Sequence, residues 1–259
     1  IELDDFAHEI AILALWLTKH QMNVEFFKEF GRTNPTLPLT DAGNIVQGNA
    51  CRLDWEEVCP KGENDEIYIL GNPPYLGYAR QNKQQKEDVS KVFLNVKDYK
   101  KLDYICCWFY KGANYVKDSE SSYAFVTTNS LTQGEQVSLL WPLIFKFNLE
   151  IFFAYKSFKW KNNAIKNAGV TVVIIGVRIM KKSIKKIWQN QQFQMVSSIN
   201  PYLITKVNTI VCPRKNVLSG LPLMIKGCSP GDGGNLLLSE DEKISLIKKH
   251  PIAEKYIKK

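Results

Sequence analysis

With 259 residues, 45% of them hydrophobic and 23% charged, the chain has the composition of a globular protein and apolar mass for one sizeable core. No uninterrupted apolar run approaches the roughly 20 residues that a membrane span requires, and the first residues form neither a basic nor an apolar signal region. A membrane span and a secretion signal are thereby set aside, and a cytoplasmic location is expected.

In chain order, Ile1-Glu2-Leu3 reads as the tail of a strand, and Asp4 or Asp5 caps a helix through His8, Ile12, Leu13, Leu15, Trp16 and Leu17. Residues 31–43, holding Pro35 and Pro38, form a loop before a short strand, Asn44 to Gln47, that ends at Gly48-Asn49. The next strand, Glu66 to Leu70, stops at Gly71-Asn72-Pro73-Pro74. A helix over 101–117, a strand over 123–127 and a helix over 133–147 follow. Two more strands lie around 149–155 and 170–177, the second a near-continuous β-branched run. Strands alternating with helices predict an α/β domain with a doubly wound, mainly parallel sheet, whose ligands gather at the carboxyl ends of the strands. Glu2, Asn49, Asn72 and Thr128 fall there. Beyond Ile179 the periodicity fades among Pro201, Pro213, Pro222 and Pro230, so residues 1–180 are read as the catalytic domain and 181–259 as an irregular extension.

The six cysteines include no C-x-x-C pair, and with three isolated histidines they are read as reduced, mostly buried thiols and not as a metal site. The net charge of +8 is unevenly distributed, with no acidic residue between Glu150 and Asp232. Lysines in that stretch, among them Lys159, Lys161, Lys181, Lys182, Lys185 and Lys186, are interleaved with Phe158, Trp160 and Trp188. A one-signed segment studded with aromatics suits a polyanion with stacked bases, so double-stranded DNA is the expected partner and these lysines its phosphate contacts.

The densest local signal is Asn72-Pro73-Pro74-Tyr75. Two prolines give no backbone N–H and hold φ near −65°, so the loop is stiff and its carbonyls are fixed in direction. An amide oxygen, a rigid carbonyl and an aromatic ring then stand together at a strand end. This segment resembles motif IV of the amino-methyltransferases, and the longer run resembles the MmeI-type (type IIL) bifunctional restriction-modification enzymes over nearly the whole chain. The resemblance implies a class I S-adenosylmethionine-dependent methyltransferase fold that acts on the exocyclic amino group of adenine in DNA. That nitrogen is a poor nucleophile, because its lone pair is delocalised into the ring. Two acceptors that take its hydrogens favour a tetrahedral nitrogen whose lone pair is free for the methyl group.

Residue by residue, Ile1 to Ala7 resembles motif II, which makes Glu2 the acid that holds the ribose hydroxyls of S-adenosylmethionine. Gly48-Asn49-Ala50 resembles motif III and assigns Asn49 to the cofactor adenine, in a place where many relatives carry Asp. Asn72 also touches the cofactor site, and Asn72, Pro73, Pro74 and Tyr75 form the catalytic loop. Asp103-Tyr104-Ile105 resembles motif V and Tyr123 to Ser130 motif VI. Phe158-Lys159-Trp160 resembles the motif VIII loop, so Phe158 joins Tyr75 as a stacking face for the flipped base. Ser219 to Leu238 resembles the passage into a target-recognition domain.

The family's cofactor-binding glycine loop, motif I, lies before motif II, and the chain opens at Ile1 without it. The fold is therefore expected to be incomplete at its N-terminus, and the isolated chain to bind S-adenosylmethionine weakly. Two other functions suit the same residues. Some protein-glutamine methyltransferases grip a planar amide with an Asn-Pro-Pro-Tyr loop, and a non-catalytic fragment could bind DNA alone.

Overall fold

The computed structural model describes residues 1–31, 45–63, 65–94, 96–160, 170–205, 209–214 and 237–257. Six strands form one sheet: β1 (Tyr68–Gly71), β2 (Ser122–Thr128), β3 (Leu149–Lys159), β4 (Thr171–Ile179), β5 (Lys185–Gln189) and β6 (Gln192–Val196). Their spatial order is β1-β2-β4-β3-β5-β6. The pairs β1–β2 and β3–β5 are parallel, whereas β4 is antiparallel to both its neighbours and β6 is antiparallel to β5. Four strands thus run one way, as the sequence reading requires of a mainly parallel sheet, and β4 and β6 run against them. The carboxyl ends of β1, β2, β3 and β5 share one edge. A separate parallel bridge joins Glu2 to Gln47.

The helices are α1 (Asp5–Phe30), α2 (Trp55–Val58), α3 (Lys83–Val92), α4 (Cys106–Val116), α5 (Gly134–Phe145) and α6 (Glu240–Lys249). Asp4 caps α1, its side chain accepting from the Ala7 N–H at 2.9 Å, and Gly31 ends it in the left-handed conformation at φ 65°. The helix is longer than the sequence signals indicated. It also buries none of its residues.

The core lies where α4 and α5 meet the sheet. Phe109 of α4 has Tyr123 at 5.8 Å, Phe125 at 5.5 Å and Trp141 at 6.0 Å between ring centroids, all edge-on. Each of these fully buried rings contributes about 1.5 to 3 kcal/mol through lost water contact. In β4 a Cβ on Gly176 would meet the Phe153 ring at 2.3 Å, so only glycine lets β3 and β4 close at this point.

The sheet does not stop at residue 180. After Ile179 the alternation Lys185-Lys186-Ile187-Trp188 builds β5, and a two-residue turn at Asn190 (φ 49°) and Gln191 (φ 65°) returns the chain as β6. What the sequence reading takes as an irregular extension therefore begins with a hairpin of the sheet. The described residues divide into two compact units, Ile1–Pro213 and Arg214–Lys259. The second contains α6, which opens on a capping box between Ser239 and Glu242. Among the cysteines, Cys51, Cys106 and Cys107 are buried as expected, whereas Cys59 and Cys212 are exposed. No described helix is long and apolar enough to cross a membrane.

Candidate active site

A cleft of about 770 Å3 opens between the Glu2–Gln47 bridge and β1, within the size range of small-molecule sites. Its walls bring together Glu2, Asn49, Asn72, Pro73 and Pro74, five of the positions singled out in the sequence. They come from three separate stretches of chain. Each lies at or just past a strand or bridge, which is where a doubly wound sheet gathers its ligand groups.

Glu2 is fixed by its own turn. Its Oε1 accepts from the N–H groups of Leu3 at 2.8 Å and Asp4 at 3.1 Å, immediately before α1 begins. Asn72 is exposed at the end of β1, Pro73 is buried, and Tyr75 is half-buried against the core. The loop is held from behind by Asp103, whose Oδ1 accepts from Leu76 N–H at 2.9 Å and Ile105 N–H at 3.2 Å. Leu76 in turn accepts from Tyr104 N–H at 3.0 Å and from Gln81 Nε2 at 3.0 Å. Burial pushes the Asp103 carboxyl above the ordinary carboxylate range, against the opposing pull of the Ile105 and Leu76 N–H groups.

Asn49 belongs to a network that only the fold assembles. Its Nδ2 donates to Asp88 Oδ2 at 2.9 Å, and its Oδ1 accepts from Cys51 N–H at 2.8 Å. Asp88 is 1% exposed and also accepts from Arg52 Nε at 2.6 Å and from Tyr104 OH at 2.8 Å. The hydrogen bond to Asp88 holds the Arg52 guanidinium more firmly protonated, and burial drives the Tyr104 phenol upward. Asp88 sits in α3 among Lys, Gln and Glu residues that read as a solvated helix face, so nothing local distinguishes it.

The remaining site residues are dispersed. Phe158 ends β3 on the same edge as Asn72, with its ring against Tyr155 at 5.1 Å and Trp160 at 6.4 Å. Ser157 Oγ donates to Asn129 Oδ1 at 2.8 Å, which ties that end of β3 to the end of β2. Lys159 is exposed on this edge, and Lys161 lies outside the described residues.

Lys181, Lys182, Lys185 and Lys186 do not lie on the edge that carries Asn72. Lys185 begins β5 and is 6% exposed, with Nζ 3.0 Å from Glu150 Oε2. Lys181 pairs with Glu120, just ahead of β2. Lys181, Lys182 and Lys185 therefore stand toward the amino ends of the parallel strands, the edge opposite Asn72. The antiparallel course of β4 carries the chain there. Lys186 alternates to the other side and lies over the Phe193 ring at 5.2 Å.

Comparison with known proteins gives the family of the chain. The family described as MmeI, DNA-methyltransferase domain, matches residues 1–189, and the MmeI target recognition domain matches residues 205–259. A protein of Bacillus subtilis (strain 168) named DNA methyltransferase A is 48% identical over 261 residues, covering 100% of this chain and 30% of that protein. A solved structure of the type IIL restriction-modification enzyme MmeI in complex with DNA superposes with a TM-score of 0.86 at 39% identity, over 98% of this chain and 35% of that one. The chain thus spans about a third of the length of these relatives. The α/β sheet is that of the class I methyltransferases, and the chain belongs to the MmeI family, its DNA-methyltransferase domain being followed by residues of its target recognition domain.

Proposed function

We propose that the protein carrying this chain transfers a methyl group from S-adenosylmethionine to the exocyclic amino group of an adenine flipped out of duplex DNA, as part of a restriction-modification system. The observation that carries this reading is the rigid Asn72-Pro73-Pro74 loop on the wall of the cleft that also holds Glu2 and Asn49.

The donor set fits the adenosine end of the cofactor. The Glu2 carboxylate suits a pair of ribose hydroxyls, the Asn49 amide suits a base edge, and Trp55 and Phe125 supply apolar wall. S-adenosylmethionine supplies the activated methyl group. The chain's own residues prepare the acceptor: the Asn72 side-chain oxygen and a carbonyl of the proline loop accept the two amino hydrogens and release the nitrogen lone pair. Because Asp103 already holds the loop, these acceptors need little reorganisation. Tyr75 provides one face for the extruded base, and Phe158, on the same sheet edge, is the proposed second face. Lys159 and its neighbour Lys156 at the end of β3 are the lysines of this edge suited to phosphate.

Methyl transfer by the full-length protein to duplex DNA and to a glutamine-containing peptide tests the reading. Label is expected at the amino nitrogen of adenine in DNA. Label in the peptide alone would assign the loop to glutamine, and no label with either substrate would leave DNA binding as its role.

A further inference from the structure

We propose that Asp88 is a positioning residue that makes the cleft selective for adenine in the cofactor, by fixing which end of the Asn49 amide serves as acceptor. This rests on the reading of the cleft as the S-adenosylmethionine site.

An Asn amide has two orientations related by a half-turn that exchanges its oxygen and nitrogen. At Asn49 only one is compatible with its surroundings. Nδ2 donates to Asp88 Oδ2 at 2.9 Å and Oδ1 accepts from Cys51 N–H at 2.8 Å. The half-turn would set Oδ1 against a carboxylate and Nδ2 against an N–H, leaving Oδ1, Nδ2 and the Cys51 N–H without partners. Asp88 cannot move aside to permit it. Arg52 Nε at 2.6 Å and Tyr104 OH at 2.8 Å hold the carboxylate, and the guanidinium balances its charge. Asn49 and Asp88 both line the cleft, so the acceptor that Asn49 offers there is the second lone pair of a fixed Oδ1.

Adenine presents an amino donor on its six-membered ring where hypoxanthine presents a carbonyl acceptor. A fixed oxygen accepts from the first and repels the second. The arrangement also explains why Asn, and not Asp, occupies position 49. A second carboxylate within hydrogen-bonding distance of Asp88 would place two like charges together with no proton between them. With Asp88 as its partner, the neutral amide serves as the acceptor.

The test is the ratio of binding constants of the full-length protein for S-adenosylhomocysteine and S-inosylhomocysteine, measured by titration calorimetry. Wild type is expected to prefer the adenosine ligand by about tenfold or more, the scale set by leaving buried polar groups unpaired. Asp88→Asn should bring the ratio to within about twofold, because a freed amide can turn to suit either base. The exchange Asn49→Asp with Asp88→Asn should restore it, with the new amide at 88 donating to the new carboxylate at 49. A purely structural role would weaken both ligands alike. An unchanged ratio in folded Asp88→Asn, or no recovery in a folded double variant, overturns the proposal. If neither Asp88 variant folds, Arg52→Ala at the half-exposed end of the network carries the test: a lowered ratio supports the proposal and an unchanged one overturns it. Failure of wild type to bind either ligand would instead remove the cleft as a cofactor site.

Discussion

Asn72 stands exposed at the end of β1 while the residues behind it are locked, and this division separates binding from turnover. In the proposed reaction its oxygen matters chiefly when the amino nitrogen becomes tetrahedral, so Asn72→Ala in the full-length protein should lower kcat by about 100-fold or more. DNA affinity should stay within about twofold of wild type; parallel turnover and binding measurements check both. Asp103 gives the opposite pattern. Its carboxyl lies above the ordinary carboxylate range because it is buried, so the folded protein binds this proton more tightly than the unfolded chain, whose value is about 3.9. The stability it contributes is full below about pH 4 and is lost as pH rises through the folded value. Asp103→Asn keeps an Oδ1 that can accept from Leu76 and Ile105, so its stability relative to wild type should improve between about pH 4 and pH 7. Asp103→Ala removes that acceptor and should cost about 1 to 3 kcal/mol. Urea unfolding at both pH values decides between them; a wild-type slope retained in Asp103→Asn would mean that another group titrates. The placement of Asn72, Pro73 and Pro74 at a strand end on the cleft was legible from sequence because the signal is local. Asp88 was not, since its role depends on Asn49, Arg52 and Tyr104, which come from up to 39 residues away and meet only in the fold.

At the scale of elements, the course of β4 redistributes the positive charge. The lysine-rich stretch looks uniform in sequence, yet antiparallel β4 carries Lys181, Lys182 and Lys185 to the edge away from Asn72 and leaves Lys156 and Lys159 on the same edge as Asn72, with two strands between. Strand direction is set by pairing partners that no single-segment pattern encodes, so the sequence reading grouped residues that the sheet separates. The β5–β6 hairpin escaped notice for a related reason. Its turn is Asn190-Gln191, without the glycine that marks most such turns, and its strands are rich in Gln and Lys. For the full-length protein on duplex DNA, Lys156→Ala with Lys159→Ala should reduce the slope of log affinity against log salt by about 2, near 0.9 per phosphate contact. Lys181→Ala with Lys182→Ala should leave the slope unchanged. A reversal of these two results would place DNA on the opposite edge of the sheet.

For the whole molecule, the alternation of strands and helices and the edge that gathers Glu2, Asn49 and Asn72 could be read from periodicity and strand-end breaks. The isolation of α1 could not, because a long run of apolar residues normally signals burial. Here Phe6 is 76% exposed, Met22 67% and Phe30 63%, and the helix buries none of its 26 residues. The outer edge of β1 likewise leaves Tyr68 and Leu70 open. An exposed apolar surface of this kind marks an interaction site or an aggregation liability. Only part of one face, with Ala11, Ile12 and Trp16 half-buried, gains from packing, so the helix relies largely on propensity and its caps, which is marginal in water. The 259-residue chain studied by itself should therefore show amides of α1 exchanging orders of magnitude faster than those of α4, whose Cys106, Cys107 and Phe109 are fully buried. It should also bind a hydrophobic dye and associate as its concentration rises. Hydrogen exchange resolved by residue checks the first expectation and light scattering the last. Equal protection of α1 and α4 in a monomeric sample would show that α1 is packed in solution, and that the apolar surface seen here is covered by the chain itself.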